Sequence, residues 1–348
     1  MHILKPAVLL CLSAVFACDA GAQESLRVKV VAANGLPLSG ALVALVDQSS
    51  TSFAEGLTGE AGTRTLSASP GTYRLRVRRI GYQPFFSDPV TLPRTGEFVV
   101  RVDDRRVVLS TMVISASTRC GKVDRDGEAL ASVWEEISKA LRSSQLTTED
   151  LTNLAQAKVY RKEFDEFGLV TRSDSILVPI GKQKPFSAIE PESLAKDGYV
   201  RGNQLKGWEY FGVDETVLLS GSFIATHCFR LRRDKARPGQ VGLAFEPEEG
   251  RRKADVHGVL WVDENASELR DIEFSFTNAG LLTRFSANGQ TKFQRLPSGA
   301  WIIQEWKLRA PILTIRPGAR ERVVVTGYVE DGGGVVISSI PRSPRSKE

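Results

Sequence analysis

The chain has 348 residues, of which 42% are hydrophobic and 25% are charged. At roughly 100–200 residues per domain this length predicts two domains, and the composition excludes collagen-like, coiled-coil, wholly disordered and polytopic membrane proteins. The 46 basic and 41 acidic residues give a net charge of +5, and the basic residues are dispersed along the chain. We therefore expect no nucleic acid as a partner.

Residues 1–22 have the pattern of an export signal. Lys5 gives a basic start, residues 7–17 form an apolar run, and Ala20-Gly21-Ala22 offers a cleavage site of small residues. The run is shorter than the ~20 residues that span a bilayer, and no later segment reaches that length, so we expect no transmembrane helix in the mature chain. The protein is predicted to be exported to the periplasm or the outer-membrane periphery, with lipid attachment at Cys18 as a minor alternative.

Short strand patterns follow one another between residues 23 and 116. Residues 26–31 alternate with period two, and the turn-rich residues 33–40 lead into an apolar run. Further strands are predicted at residues 63–68, 72–79, 97–102 and 107–115. With no helical pattern between them, these strands predict a small antiparallel β-sandwich over residues 23–116.

Three motifs in this sandwich resemble a known family. They are Asn34-Gly35-x-Pro37-Leu38-x-Gly40-Ala41, Pro70-Gly71-Thr72-Tyr73 and Arg79-Ile80-Gly81-Tyr82-x-Pro84. Together they resemble the carboxypeptidase regulatory-like, transthyretin-like domain of bacterial envelope proteins. This resemblance implies a non-catalytic accessory domain, because the zinc-ligand pattern of the peptidase is absent from the sequence.

Residues 107–115 resemble the segment that follows this sandwich in outer-membrane receptors, where a TonB-box-like stretch leads into a plug and a barrel. The rest of the chain is too short for a receptor barrel of about 22 strands. We therefore interpret residues 107–115 as the last strand of the sandwich. A role as an accessory of a TonB-linked outer-membrane system stays open as an alternative.

Residues 117–157 are predicted to form a helical connector. Between residues 130 and 141 the apolar side chains recur at i, i+3, i+4 and i+7, which is typical of an amphipathic helix. Thr147 offers an N-cap for a second, shorter helix that would end near residue 157. We expect the first helix to lie on the sheet that follows.

The second half, residues 158–330, is predicted to be β-rich, with a flexible tail at residues 331–348. A hairpin is expected over residues 158–175, and residues 269–278 alternate almost ideally. Other strands are predicted at residues 258–263, 291–296, 300–310 and 320–328. Long strands joined by tight turns indicate a curled antiparallel sheet or half-barrel, so the whole chain is predicted to be mainly β.

This second half resembles the half-barrel of LolA-like lipoprotein carriers, on the strength of Gly258-x-Leu260-x-Val262-Asp263 and the Pro297-x-Gly299-x-Trp301 hairpin. The resemblance implies a concave face that could receive an acyl chain or another apolar ligand. That face would be lined by Trp208, Trp261, Phe274, Phe276, Trp301 and Trp306. The alternative is that these aromatic side chains only fill the core under the helix.

Cys120 and Cys228 are the two cysteines that remain after removal of the signal. In an oxidising compartment such a pair is predicted to form a disulfide, with two buried thiols as the alternative. His227 precedes Cys228 on a predicted strand, so the two side chains should point to opposite faces and should not form a thiol–base pair.

No metal-ligand spacing, nucleotide fingerprint or hydrolase motif is present in the sequence. We therefore predict no catalytic residue, no metal site and no cofactor. The favoured hypothesis is a non-enzymatic exported protein that binds an envelope protein or a glycan. The alternatives are a periplasmic carrier of a lipid or other apolar ligand, and the TonB-linked accessory.

Overall fold

The computed structural model describes residues 23–103, 107, 127–182, 185–203, 207–285, 287–316 and 322–340. Among these residues strands predominate over helices, so the predicted mainly-β fold class is confirmed. The predicted signal at residues 1–22, Cys120 and all of the TonB-like segment except Val107 lie outside the described residues.

The N-terminal unit is a β-sandwich of two sheets. Its strands are β1 (Glu24–Ala32), β2 (Leu42–Val46), β3 (Ser52–Leu57), β4 (Thr63–Ala68), β5 (Gly71–Arg78), β6 (Phe85–Leu92) and β7 (Phe98–Val102). One sheet has the order β4-β1-β7 and the other the order β3-β2-β5-β6. All pairs are antiparallel except β1 and β7, which run parallel.

The core of the sandwich follows from period-two alternation. Strand β5 buries Tyr73, Leu75 and Val77 against the first strand, while Arg74 lies on the outer face. Because successive side chains of a strand point to opposite faces, this single pattern produces one apolar and one charged face. The strand that we predicted at residues 72–79 is confirmed.

One long helix, α1 (Gly127–Leu151), connects the two units. The second helix that we predicted to start at Thr147 is not formed. The Thr147 hydroxyl instead donates a hydrogen bond to the carbonyl of Ser143, one turn back in the same helix (2.8 Å). Leu146, just before this position, is buried against Leu42 and Leu57 of the sandwich.

The second unit is built on a nine-stranded sheet with the order β12-β13-β14-β15-β16-β17-β18-β8-β9, in which every pair is antiparallel. The strands are β8 (Gln156–Asp165), β9 (Val170–Pro179), β12 (His227–Arg232), β13 (Gln240–Pro247), β14 (Asp255–Asp263), β15 (Leu269–Thr277), β16 (Asn288–Arg295), β17 (Trp301–Arg316) and β18 (Arg322–Val335). The predicted hairpin is the β8–β9 pair, and it joins the sheet beside β18.

Shorter elements lie around this sheet. They are the hairpin β10 (Val200–Asn203) and β11 (Gly207–Tyr210), and the helices α2 (Pro191–Asp197), α3 (Glu215–Leu218) and α4 (Gly221–Thr226). Short 3₁₀ turns occur at Pro185–Ser187, Gly280–Phe285 and Ile337–Ser339. We did not predict α2 to α4, because helices of four to seven residues show little periodicity in sequence.

Strand β18 continues to Val335, beyond the point at which we predicted a flexible tail. Its last part contains three consecutive glycines, a composition that resembles a loop in the sequence. In the sheet these glycines allow close packing: a Cβ on Gly334 would lie 2.2 Å from the carbonyl oxygen of Gln304. Residues 341–348 lie outside the described residues, so a flexible terminus there stays a prediction.

A buried ion pair joins the sandwich to the helix. Lys139 Nζ and Glu136 Oε1 of α1 are 2.7 Å apart, and both side chains are almost completely buried. Lys139 also donates to the carbonyl of Tyr82, and Glu136 accepts from the backbone N–H of Gly81, each at 2.8 Å. The Arg79–Pro84 motif of the sandwich is thereby held on α1.

Candidate ligand-binding site

The main core lies between α1 and the inner face of the nine-stranded sheet. Four of the six aromatics that we predicted for a concave face are buried there, namely Phe274, Phe276, Trp301 and Trp306. Trp208 is half-buried at the edge of the same core. These five therefore share one side of the sheet, and the four buried ones contribute to its core.

Trp261 lies on the other side of the sheet, so its predicted place on the concave face is wrong. Its ring packs with Ala244 and Val259, and the guanidinium of Arg237 lies 4.7 Å from its ring centre. The reason is the register of β14: Leu260 and Val262 point into the core, and the residue between them must point out.

A β-bulge explains how Trp301 and Trp306 reach the same core although five positions separate them. The register of β16 and β17 shifts at Lys292/Phe293, which face Glu305 and Ile303 respectively. The extra residue reverses the alternation along β17, so odd positions face inward before the bulge and even positions after it.

Three adjoining cavities run along the inner face of the sheet, and together we call them the trough. The inner cavity has about 240 Å³, and Trp306 lines both it and the middle cavity of about 190 Å³. The outer cavity has about 450 Å³ and shares Tyr210 and Leu308 with the middle one. Because neighbouring cavities share walls, the trough follows β17 from Ile303 to Leu313.

The floor of the trough is formed by side chains that alternate inward from the paired strands. Trp306, Leu308 and Ala310 of β17 lie beside Gly333, Asp331 and Val329 of β18. At about 3.3 Å per residue, the stretch from Trp306 to Ile312 alone is roughly 20 Å long. The trough is thus elongated. Its inner and outer cavities are mainly apolar, whereas the middle cavity is mainly polar, and the Arg161–Asp331 ion pair lines the middle and outer cavities.

The Pro185–Ser187 turn lies over Trp306. Phe186 adopts a left-handed backbone conformation (φ 58°, ψ 21°), which costs a residue with a Cβ roughly 1–2 kcal/mol. Its ring packs edge-on against Phe274 and Trp306, each at 5.2 Å between ring centres. Gly212 provides the space, because a Cβ there would lie 2.6 Å from the Phe186 ring.

Glu215 lies at the inner end of the trough and is only 8% exposed. Ser144 of α1 donates a hydrogen bond to its Oε1 at 2.7 Å. Burial, and then the neighbouring Asp214 carboxylate, raise the pKa of Glu215 to about 7. This carboxyl group can therefore change its charge near neutral pH.

Tyr210 lines both the middle and the outer cavity. Its hydroxyl is buried and has no hydrogen-bond partner among the described residues. Burial raises the pKa of Tyr210 to about 12, so the hydroxyl keeps its proton and can act as a donor. Leaving such a group unpaired costs roughly 1–3 kcal/mol, which a polar atom in the trough would recover.

A second buried polar cluster centres on His227. Its Nε2 lies 3.1 Å from Asp255, its Nδ1 lies 3.0 Å from the carbonyl of Phe223, and both side chains of the pair are fully buried. The Phe223 ring stacks on the imidazole at 3.9 Å. Arg251 pairs with the same Asp255, so this cluster is satisfied internally and ties α4 to the sheet.

Cys228 is half-buried on β12, next to the buried His227, and it faces Glu246 on the neighbouring strand. Its predicted partner Cys120 lies outside the described residues, so the disulfide stays a prediction. Within the described part of the chain, no group of three or more His, Cys, Asp and Glu could hold a metal ion. No described helix is long and apolar enough to cross a membrane.

Sequence reasoning missed Glu215 and Tyr210. The Asp214-Glu215 pair resembles an exposed loop in the sequence, and only the packing of α3 beneath α1 buries it. One local signal was available: Asp214 is an N-cap, and it accepts from the backbone N–H of Val217 at 2.9 Å.

Comparison with known proteins identifies the first unit. Residues 25–103 match the carboxypeptidase regulatory-like domain family, which confirms the resemblance that we inferred for the sandwich. A search of curated proteins gives no match. The match covers less than a quarter of the chain, so it defines the class of the sandwich alone.

Among solved structures, a 9R-lipoxygenase from Cyanothece PCC8801 aligns with 87% of this chain and 42% of its own chain, at 10% identity and a TM-score of 0.18. The chain thus spans less than half the length of that protein, and so low a TM-score supports no shared fold. These comparisons give no support to the LolA-like resemblance of the second unit, which stays a hypothesis.

Proposed function

We propose that the protein is an exported, non-enzymatic binding protein that holds an elongated apolar ligand in the trough. The observation that supports this function is the line of three adjoining cavities on the inner face of the sheet. The unpaired Tyr210 hydroxyl supports it further, because a ligand would satisfy that group. Export rests on the signal-like pattern of residues 1–22.

The absence of catalysis is part of this proposal. Among the described residues, the pair at the trough that resembles a nucleophile and a base is Ser144 and Glu215, but the Ser144 side chain is fully buried and does not line the cavity. The buried His227 is paired with Asp255. The regulatory-like sandwich supports this part of the proposal, because its resemblance implies a non-catalytic domain.

The trough favours the hypothesis of a carrier with a LolA-like groove. It favours binding of a protein or a glycan less. Most of its floor, namely Trp306, Leu308, Ala310 and Val329, is hydrocarbon and suits an acyl chain, while Asp331 and the Tyr210 hydroxyl offer a few polar contacts in the middle cavity. The TonB-linked alternative depends on residues 107–115 and has no observation among the described residues to support it.

Binding of N-phenyl-1-naphthylamine, a neutral apolar dye whose fluorescence rises in apolar surroundings, tests the proposal. The mature protein should give a saturable increase in fluorescence. Ala310→Phe should weaken dye binding about tenfold or more, because the new ring fills the outer cavity. Ala236→Phe on an exposed turn is the matched control and should bind like the parent protein.

The proposal fails if the dye gives no saturable signal and native mass spectrometry of periplasmic protein shows no bound lipid. It also fails if Ala310→Phe, with an unchanged circular-dichroism spectrum, binds the dye as tightly as the parent protein.

A further inference from the structure

Strand β9 (Val170–Pro179) forms one edge of the nine-stranded sheet. It pairs with β8 on one side, and no described strand pairs with it on the other. An edge strand presents unpaired backbone N–H and C=O groups, onto which the strand of another chain can add. With 10 residues, β9 is longer than the typical strand of about 5 or 6, so this open edge is long.

The side chains of β9 are exposed as well. Val178 is half-buried, and all the other residues of the strand are exposed. Five large apolar side chains of the strand and of the turn before it are each more than half exposed, namely Phe167, Leu169, Val170, Ile176 and Leu177. Native proteins commonly protect such an edge with lysine or proline, and residues 170–178 contain neither. This edge therefore favours pairing with another chain.

The sequence of this edge is complementary to itself. It reads Leu169-Val170-Thr171-Arg172-Ser173-Asp174-Ser175-Ile176-Leu177. When two copies of this segment are aligned antiparallel about Ser173, Arg172 of each copy lies opposite Asp174 of the other. The outer positions match in type, with a hydroxyl opposite a hydroxyl and aliphatic residues opposite aliphatic residues. The partner that fits this edge best is thus a second copy of the same strand.

The charges select this alignment over its neighbours. Opposite charges that face each other across two strands are favourable, and like charges are unfavourable. Moving the centre from Ser173 by one residue would place Arg172 opposite Arg172, or Asp174 opposite Asp174. Within one chain, Arg172 Nε and Asp174 Oδ2 are 2.7 Å apart, and both side chains are more than half exposed. In the paired strands each of these charges lies beside two charges of the opposite sign.

A bulge limits what the aliphatic flanks contribute to the register. Against β8, the register of β9 is regular from Arg172 to Pro179, and Thr171 is an extra residue before the next pair. Because such a bulge reverses the alternation of side chains, Val170 and Ile176 point to opposite faces. The charged centre therefore sets the register, and the aliphatic side chains contribute buried apolar area.

We propose that β9 is a homodimer interface, in which the β9 strands of two copies pair antiparallel about Ser173. The two nine-stranded sheets then form one continuous sheet across a two-fold axis, and every contact occurs twice. Strands β18 and β8 separate β9 from β17, which the trough follows, so this inference does not depend on the proposed ligand.

Sedimentation velocity of the mature protein at increasing micromolar concentrations tests the dimer. A reversible equilibrium between monomer and dimer is expected, because one strand pair is a small interface and small interfaces belong to weak complexes. The dissociation constant should rise with salt concentration, since the charges at the centre are exposed.

The variants Arg172→Asp and Asp174→Arg test the register. Each places like charges opposite each other at both contacts, so each alone should raise the dissociation constant of the homodimer by about tenfold or more. An equimolar mixture of the two variants should form a heterodimer, because acidic residues of one chain then face basic residues of the other. The double variant Arg172→Asp/Asp174→Arg exchanges the two charges and should restore the homodimer.

Arg230→Asp is the matched control. It reverses an exposed charge on β12, the opposite edge of the same sheet, and should leave the dissociation constant unchanged. Unchanged circular-dichroism spectra show that the variants are folded, as expected for exposed positions.

The inference is wrong if the parent protein stays monomeric throughout this concentration range. It is also wrong if both single variants dimerise like the parent, since the dimer then uses another surface. Failure of both the mixture and the double variant to dimerise would overturn the alignment about Ser173.

Discussion

The carboxyl group of Glu215 lies between the Ser144 hydroxyl and the Asp214 side chain, in surroundings that disfavour its charge. Its pKa is raised from 4.5 to about 7 in the folded protein. Between these two pH values the unfolded chain has released a proton that the folded chain still holds. Folding stability from this group is therefore complete below pH 4.5 and is lost as the pH rises toward 7.

We expect Glu215→Gln to remove the fall in folding stability that the parent protein shows as the pH rises toward 7. The amide stays neutral, and its oxygen can still accept the Ser144 hydrogen bond, so at pH 8 the variant should be more stable by on the order of 2–3 kcal/mol. Urea unfolding at pH 5 and pH 8 measures the effect. Burial also raises the pKa of Glu136. Its effect on stability is the same in the parent protein and in the variant, so it cancels when the two are compared. An equal fall in stability in parent and variant would contradict the assignment.

Gly212 contributes to stability through packing space, whereas Glu215 acts through its charge. Gly212→Ala should destabilise the protein by about 1–3 kcal/mol, because the new methyl group would overlap the rings of Phe186 and Phe274. Gly221→Ala, where a Cβ would meet nothing within 4 Å, is the control and should have little effect. Thermal unfolding of the two variants distinguishes them, and equal melting temperatures would rule out the packing argument.

At the scale of single elements, alternation predicts strands well and predicts their faces less well. Strand β15 was predicted with the correct face, because Ile272, Phe274 and Phe276 alternate with polar or charged residues. Strand β14 contains the continuous apolar run Val259-Leu260-Trp261-Val262, and such a run does not show which side chains point inward. The face of Trp261 is decided by pairing with neighbouring strands, which local sequence does not encode.

The same limit applies to the candidate site. The sequence predicts the strands that form the floor of the trough, but it does not reveal the bulge that turns both Trp301 and Trp306 inward. Nor does it show that α3 forms, because a four-residue helix is stabilised by tertiary contacts such as that between Ser144 and Glu215. The polar part of the site therefore had to be found in the structure.

The buried ion pair of helix α1 allows a test of the contact between the sandwich and the helix. Lys139→Met should destabilise the protein by about 3–5 kcal/mol, because it leaves Glu136 buried without its partner charge. Adding Glu136→Gln should recover part of this loss, since the amide oxygen can still accept from Gly81. Guanidinium unfolding of both single variants and the double variant gives the coupling energy. A single variant that costs less than about 1 kcal/mol would show that the pair contributes little.

For the whole molecule, the contacts between sandwich and sheet predict joint unfolding. Besides the buried ion pair, Arg64 binds Asp150 of α1 through two hydrogen bonds (2.8 and 3.2 Å), and Arg142 of the helix pairs with Glu55 of β3. Leu146 of the helix is buried with Leu42 and Leu57. Units that are joined by buried contacts, such as the ion pair and Leu146 here, lose stability together.

Differential scanning calorimetry of the mature protein should therefore show a single transition. Its calorimetric and van't Hoff enthalpies should agree, as they do for a cooperative unit. Lys139→Met should move this transition to lower temperature as a whole. Two separated transitions in the parent protein would contradict the joint unfolding of the sandwich and the sheet.

The contact between Gly40 and Gly299 has an evolutionary consequence. Gly40 belongs to a motif of the sandwich, yet a Cβ on it would lie 2.4 Å from the carbonyl oxygen of Gly299 in the other unit. A homologous sandwich with a larger residue at this position could not replace the native one without displacing the β16–β17 turn. Genetic recombination that preserves the fold should therefore transfer the two units together, as one heritable block.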